Sequence, residues 1–157
     1  MRIAVAATPE VAIPSLDALL SSKHELLSVI TQPDRPSGRG QSLHESAVSK
    51  WAKENGVQTH KPERDSNFQP LLSNVELLIT IGYGVILPKQ VFGLPRYGSL
   101  NLHFSLLPRW RGAAPVQRAI AAGDEQSGVT VFKLEQGLDT GPIYSTLSYP
   151  LNDKSRS

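Results

Sequence analysis

Arg2-Ile3-Ala4-Val5-Ala6-Ala7-Thr8-Pro9-Glu10 passes from a short apolar run directly into a helix start. Residues 2–7 read as a strand buried on both faces, the pattern of a parallel sheet covered by helices. Thr8 is placed to cap a helix and Pro9 suits its first position. Leu16, Leu19 and Leu20 then form that helix's apolar stripe. The alternation then repeats along the chain. Strands are expected at 25–31, 57–60, 75–81, 97–103, 129–135 and 143–149. Helices are expected at 45–55, closed by Gly56, at 68–72, and at 113–122, closed by Gly123. Residues 32–42 hold two prolines, two glycines and two arginines, so a loop without regular structure is expected there. Strands and helices at this spacing predict an α/β domain with a mainly parallel sheet flanked by helices.

The 157 residues suffice for one domain with a real core and not comfortably for two. With 39% hydrophobic and 19% charged residues, the chain has a globular composition. It contains no cysteine, which excludes disulfides, zinc–thiolate sites and thiol nucleophiles and fits a reducing cytoplasm. The longest apolar runs are too short for a membrane span, and the N-terminus lacks a signal-peptide pattern. The net charge of +2 is uninformative, but its distribution is not. Arg35 and Arg39 share the loop 32–42, and Arg109, Arg111 and Arg118 cluster later. Such segments are either solvated surface or a face for a polyanion.

Ligands of open α/β sheets bind at the carboxyl ends of the strands. There, Asn101 and His103 stand two residues apart on one strand, so their side chains share a face. Two polar side chains at that position mark either a surface strand end with a satisfied histidine or a reaction centre. Asp139 lies in the glycine-flanked turn Glu135-Gln136-Gly137-Leu138-Asp139-Thr140-Gly141. It is either an ordinary turn aspartate or a partner for His103. Asparagine, histidine and aspartate together suit acyl transfer: an amide N–H donates to a developing oxyanion, a histidine moves a proton, and a carboxylate orients the histidine and favours its charged form. No G-x-S-x-G elbow, G-x-G-x-x-G turn or Walker loop occurs, which disfavours an acyl-enzyme and the usual dinucleotide and nucleotide sites. His24, His44, His60 and His103 do not pair at metal-ligand spacing, so no metal is expected.

Asn101-Leu102-His103-Phe104-Ser105-Leu106-Leu107-Pro108 closely resembles the signature of the folate-dependent formyltransferases. The continuation Arg109-Trp110-Arg111-Gly112-Ala113-Ala114-Pro115-Val116-Gln117 narrows the likeness to the methionyl-tRNA formyltransferases. So does Thr31-Gln32-Pro33-Asp34-Arg35-Pro36-Ser37-Gly38-Arg39-Gly40, which is similar to that family's tRNA-contacting loop. Gly137-Leu138-Asp139-Thr140-Gly141 resembles its aspartate loop. The likeness runs over essentially the whole chain. One departure is Ala6-Ala7-Thr8-Pro9, where the family usually carries a glycine before Thr-Pro.

The resemblance implies a Rossmann-like formyltransferase fold. It implies transfer of a formyl group from 10-formyltetrahydrofolate to the amino group of methionine on initiator methionyl-tRNA, a cytoplasmic step of translation initiation, by a monomer without a metal. Asn101, His103 and Asp139 would be catalytic. Ser105, Leu106, Leu107 and Pro108 would contact the folate, and Val85, Ile86 and Leu87 would line its pterin pocket or simply pack in the core. Arg35 and Arg39 would contact tRNA, and Trp110 would stack on a base or serve structure. Because the family has a longer catalytic domain and a C-terminal tRNA-binding domain, residues 1–157 are expected to be a truncated catalytic domain. The alternatives are a formyltransferase or deformylase acting on a small-molecule amine, and a non-catalytic folate- or RNA-binding fragment.

Overall fold

Ile3, Ala4, Val5, Ala6 and Ala7 are all buried, and the place of their strand explains it. The computed structural model describes residues 1–37, 42–63 and 67–151. The chain falls into two compact units, Met1–Ser99 and Leu100–Ser157. The first runs β1 (Arg2–Ala7), a 3-10 turn (Glu10–Ala12), α1 (Ile13–Leu20), β2 (Glu25–Ile30), β3 (Arg35–Ser37), β4 (Ser42–His44), α2 (Ala47–Glu54), β5 (Gln58–His60), α3 (Phe68–Leu72), β6 (Leu77–Ile81) and α4 (Lys89–Phe92). β1 pairs in parallel with β2 and with β6, and β2 pairs in parallel with β5. β1 is therefore interior to its sheet and tolerates no charge after Arg2. Fully burying a side chain such as Val5 contributes roughly 1.5–3 kcal/mol.

One face of this sheet carries Ala4, Ala6, Ile30 and Leu78, packed with Phe68, Leu72, Val75, Tyr83, Leu87 and Val91. Two alanines in β1 leave space for the Phe68 and Tyr83 rings, which meet edge to face at 6.3 Å. Leu16 of α1 and Val48, Trp51 and Ala52 of α2 are also buried. The two helices are tied by the Trp51 indole N–H, which donates to Asp17 Oδ1 at 2.7 Å. Ser46 caps α2, accepting from the Ser49 N–H at 3.0 Å.

Two sequence expectations change here, and one further element, α4, was not expected. Thr8 does not cap α1: the 3-10 turn intervenes, and the Thr8 hydroxyl instead donates to the Tyr83 carbonyl at 3.2 Å. The segment 32–42 is not wholly irregular: β3 and β4 form a short antiparallel hairpin with Arg35 opposite His44. A three-residue ladder is too short for a periodic pattern, and its prolines and glycines mask it. Lys61 braces the approach to that hairpin with a 2.7 Å ion pair to Asp34. The four-residue α4 leaves too little sequence to reveal a helical period.

The second unit carries β7 (Ser99–His103, from Leu100 onward), α5 (Pro115–Ala121), β8 (Gln126–Lys133) and β9 (Ile143–Pro150). These three strands are antiparallel, in the order β7-β8-β9. The parallel ladder expected from strand–helix alternation forms in the first unit. In the second, β8 passes to β9 through the turn 135–141 with no helix between, which dictates antiparallel pairing. Phe132 and Thr130 are buried in β8, and Ala119 is buried in α5. Among the described residues, no helix is long and apolar enough to cross a membrane.

Candidate active site

His103 is the last residue of β7, opposite Thr130 of β8, and its ring is buried at 7% exposure. Its Nε2 lies 2.9 Å from the Trp110 carbonyl oxygen. A carbonyl only accepts, so Nε2 carries a proton and donates. The other ring nitrogen, Nδ1, lies 3.6 Å from Asp139 Oδ2. That exceeds hydrogen-bond length but is close enough for the carboxylate to stabilise positive charge on the ring. Both side chains are largely withdrawn from water, at 8% and 12% exposure. The neutral ring thus presents one proton-accepting atom, and that atom faces Asp139. Asn101 lies two residues before His103 on the same strand, half-buried, opposite Phe132.

Asp139 is held from two directions. Its Oδ2 accepts the Gly112 N–H at 2.7 Å. Its backbone sits in the left-handed region at φ 51°, which aspartate tolerates better than most residues. Gly112 itself has φ 81°, and a side chain there would be strained and crowd Leu138. The glycine thus lets a main-chain N–H reach the carboxylate. The structure brings His103 and the turn aspartate to 3.6 Å of each other, with Asn101 two residues away on the strand of His103. The main-chain partners, the Trp110 carbonyl and the Gly112 N–H, were not legible in the sequence.

The segment 105–108 is pinned from beneath by a residue the sequence reading missed. Fully buried Thr130 donates from Oγ1 to the Ser105 carbonyl at 2.7 Å and accepts the Leu107 N–H at 3.2 Å. Ser105, also fully buried, donates to the Arg109 carbonyl at 2.6 Å. The Leu107–Pro108 bond is cis. The one available signal was a threonine at an inward position between Val129 and Phe132. Thr130→Val keeps the shape but leaves a buried N–H and a buried carbonyl unpaired. It is expected to cost about 1–3 kcal/mol, read as a lower urea midpoint with an unchanged m-value.

Two of the arginines after Pro108, Arg109 and Arg118, are engaged within the unit, and Arg109 still keeps 59% of its side chain exposed. Arg109 makes a two-pronged contact with Asp124, Nε to Oδ2 at 2.9 Å and the terminal nitrogen to Oδ1 at 2.7 Å. The Trp110 indole N–H donates to the same Asp124 Oδ2 at 2.6 Å. These bonds, the arginine's first and the indole's second, hold the Asp124 pKa down to about 2. The Trp110 ring stacks against the guanidinium of Arg109 at 4.4 Å and lies 5.7 Å from that of Arg118. Arg118 also donates to the carbonyls of Arg111 and Ala113. Trp110 is therefore a structural element of this unit.

Of the other expected site residues, Leu87 is core, whereas Val85 is 45% and Ile86 85% exposed just past β6. Arg35 lies in β3, and its side chain is outside the described residues, as is the whole of Arg39. Among the described residues, no three His, Asp or Glu side chains group as metal ligands.

The family model described as "Formyl transferase" matches residues 1–155. The chain is 51% identical over 156 residues to the methionyl-tRNA formyltransferase of Ectopseudomonas mendocina, a match covering 97% of this chain and 50% of that protein. It is 48% identical to that of Rhizorhabdus wittichii, over 99% of this chain and 52% of the relative. The chain thus spans about half the length of the curated relatives it matches. A solved phosphoribosylglycinamide formyltransferase from Anaplasma phagocytophilum superimposes with a TM-score of 0.82 over 98% of this chain and 74% of that one, at 24% identity. The Bacillus halodurans protein of that name gives 0.78 over 98% and 82%, at 20% identity. These likenesses show the fold, the Rossmann-like formyltransferase fold that the sequence predicts.

Proposed function

This chain belongs to the formyl transferase family, and on that premise we propose that the protein containing it formylates the methionine amino group of initiator methionyl-tRNA, with 10-formyltetrahydrofolate as donor. The observation that carries the reading is His103, fixed between the Trp110 carbonyl and the Asp139 carboxylate in a chain about half identical to proteins named for that reaction. The reaction is a cytoplasmic step of translation initiation, performed by a monomer.

In this reading the methionine amine attacks the formyl carbon, a new C–N bond forms, and the bond to the folate nitrogen breaks. The attacking nitrogen loses a proton and the leaving nitrogen gains one. Asn101 donates its amide N–H to the oxygen on which charge develops. His103 Nδ1, the ring atom able to accept, takes and returns the proton, and Asp139 stabilises the ring while it is charged. Ser105, Leu106, Leu107 and Pro108 contact the folate on a loop anchored by Thr130. Arg35 and Arg39 engage the tRNA, where arginine suits phosphate and base edges.

With donor labelled in the formyl carbon, the full-length protein is expected to place label on the methionine nitrogen of methionyl-tRNA. Absence of labelled product would overturn the proposal. Arg39→Ala is expected to raise KM for methionyl-tRNA about ten-fold, the loss of one charge-assisted contact. KM for the folate should stay within about two-fold. Equal rises in both would remove Arg39 from tRNA recognition.

A further inference from the structure

Trp110 holds an unusual backbone. At φ 62° it is a bulky residue in the left-handed region, a conformation that persists only where its surroundings over-determine it. That conformation aims the Trp110 carbonyl at His103 Nε2. What fixes the tryptophan is its side chain, and what fixes the side chain is Asp124. One carboxylate takes the indole N–H at 2.6 Å and both prongs of Arg109, whose guanidinium then lies on the indole face at 4.4 Å. Asp124 is itself anchored just past α5, its N–H donating to the Ala119 carbonyl at 3.0 Å, and its side chain is only 15% exposed.

We propose that Asp124 is a positioning residue for His103, acting through Trp110: it clamps the tryptophan so that the main-chain carbonyl commits Nε2 to carrying a proton and leaves Nδ1 to face Asp139. Without the clamp, Trp110 is free to leave its strained conformation, the carbonyl withdraws, and the ring loses the contact that selects its tautomer. The consequence for turnover rests on the formyl-transfer reading above, whereas the ring geometry does not.

The test is made on the full-length protein with two readouts. Long-range 15N–1H spectra of the histidine rings report the His103 tautomer, and steady-state kinetics report kcat and KM. In the parent protein the neutral His103 ring is expected as the Nε2-protonated form. In Asp124→Ala it should become a mixture, with kcat falling about ten-fold or more, as for a misplaced catalytic group, and both KM values moving less than about two-fold. Trp110→Phe removes the indole donor and keeps an aromatic ring beside Arg109. It should shift the tautomer in the same direction, and it replaces Asp124→Ala should that variant fail to fold. Asp124→Glu should recover part of both signals. A folded variant with the parent tautomer overturns the proposal, whether or not its kcat falls. A mixed tautomer with parent kcat sustains the positioning role and instead contradicts the placement of His103 in the chemistry.

Discussion

His103→Ala in the full-length protein is expected to lower kcat for formyl transfer by about 10²- to 10⁴-fold, the range for a side chain that moves a proton in the transition state. KM for donor and acceptor should change little, because the ring contributes to the transition state more than to ground-state binding. His103 ends β7 with its ring buried, and both ring nitrogens face acceptors, the Trp110 carbonyl at 2.9 Å and Asp139 Oδ2 at 3.6 Å. A histidine packed only for structure needs one such partner. A second, charged partner beside the remaining nitrogen stabilises a cation that the resting ring need not be. Alanine leaves a small gap at a strand end, so thermal unfolding should show the variant still folded. A folded His103→Ala protein within about three-fold of parent kcat would take the ring out of the chemistry.

Gly141→Ala should be nearly as damaging, though the glycine touches none of the reacting groups. Its neighbour Pro142 presents the carbonyl that accepts the Lys133 N–H at 2.9 Å, so the turn is drawn tightly against the end of β8. A Cβ at Gly141 would run into the Lys133 carbonyl, a main-chain atom that cannot swing aside. The turn 135–141 must move, and Asp139 rides on it. Overpacking of this kind costs about 1–3 kcal/mol. Displacing Asp139 by about 1 Å from His103 is expected to lower kcat about a hundred-fold. A lowered Tm together with the kcat loss supports this account. Parent kcat at any Tm would show that the turn adapts without moving the carboxylate.

The legible part of this molecule is what periodicity and short spacing encode. The apolar run of β1 announced an interior strand. The two-residue spacing of Asn101 and His103 put them on one face, and the glycine-flanked turn offered Asp139 either as a turn residue or as a partner for His103. What stayed hidden is carried by the main chain or by distant pairs. The Trp110 carbonyl and the Gly112 N–H are chemistry that every residue owns, and only their φ values of 62° and 81° aim them at the site. Asp124 meets Arg109 and Trp110 across fourteen or fifteen positions through α5, with no motif to mark the pairing. The partners of Arg109 and Arg118 stayed hidden for the same reason: charge clustering shows in a sequence, and the carbonyls and carboxylate that engage it do not. The β3–β4 hairpin was hidden by prolines and glycines that ordinarily deny regular structure.

Whether the full-length protein formylates methionine on tRNA, as proposed above, is decided by its choice of acceptor. The measurement is kcat/KM of the full-length protein, with 10-formyltetrahydrofolate as donor, for initiator methionyl-tRNA and for a small purine-precursor amine under the same conditions. A preference for methionyl-tRNA of at least about 10³-fold is expected, because a site built to use remote contacts with a large acceptor loses rate when they are absent. Equal or greater kcat/KM for the small amine would contradict it.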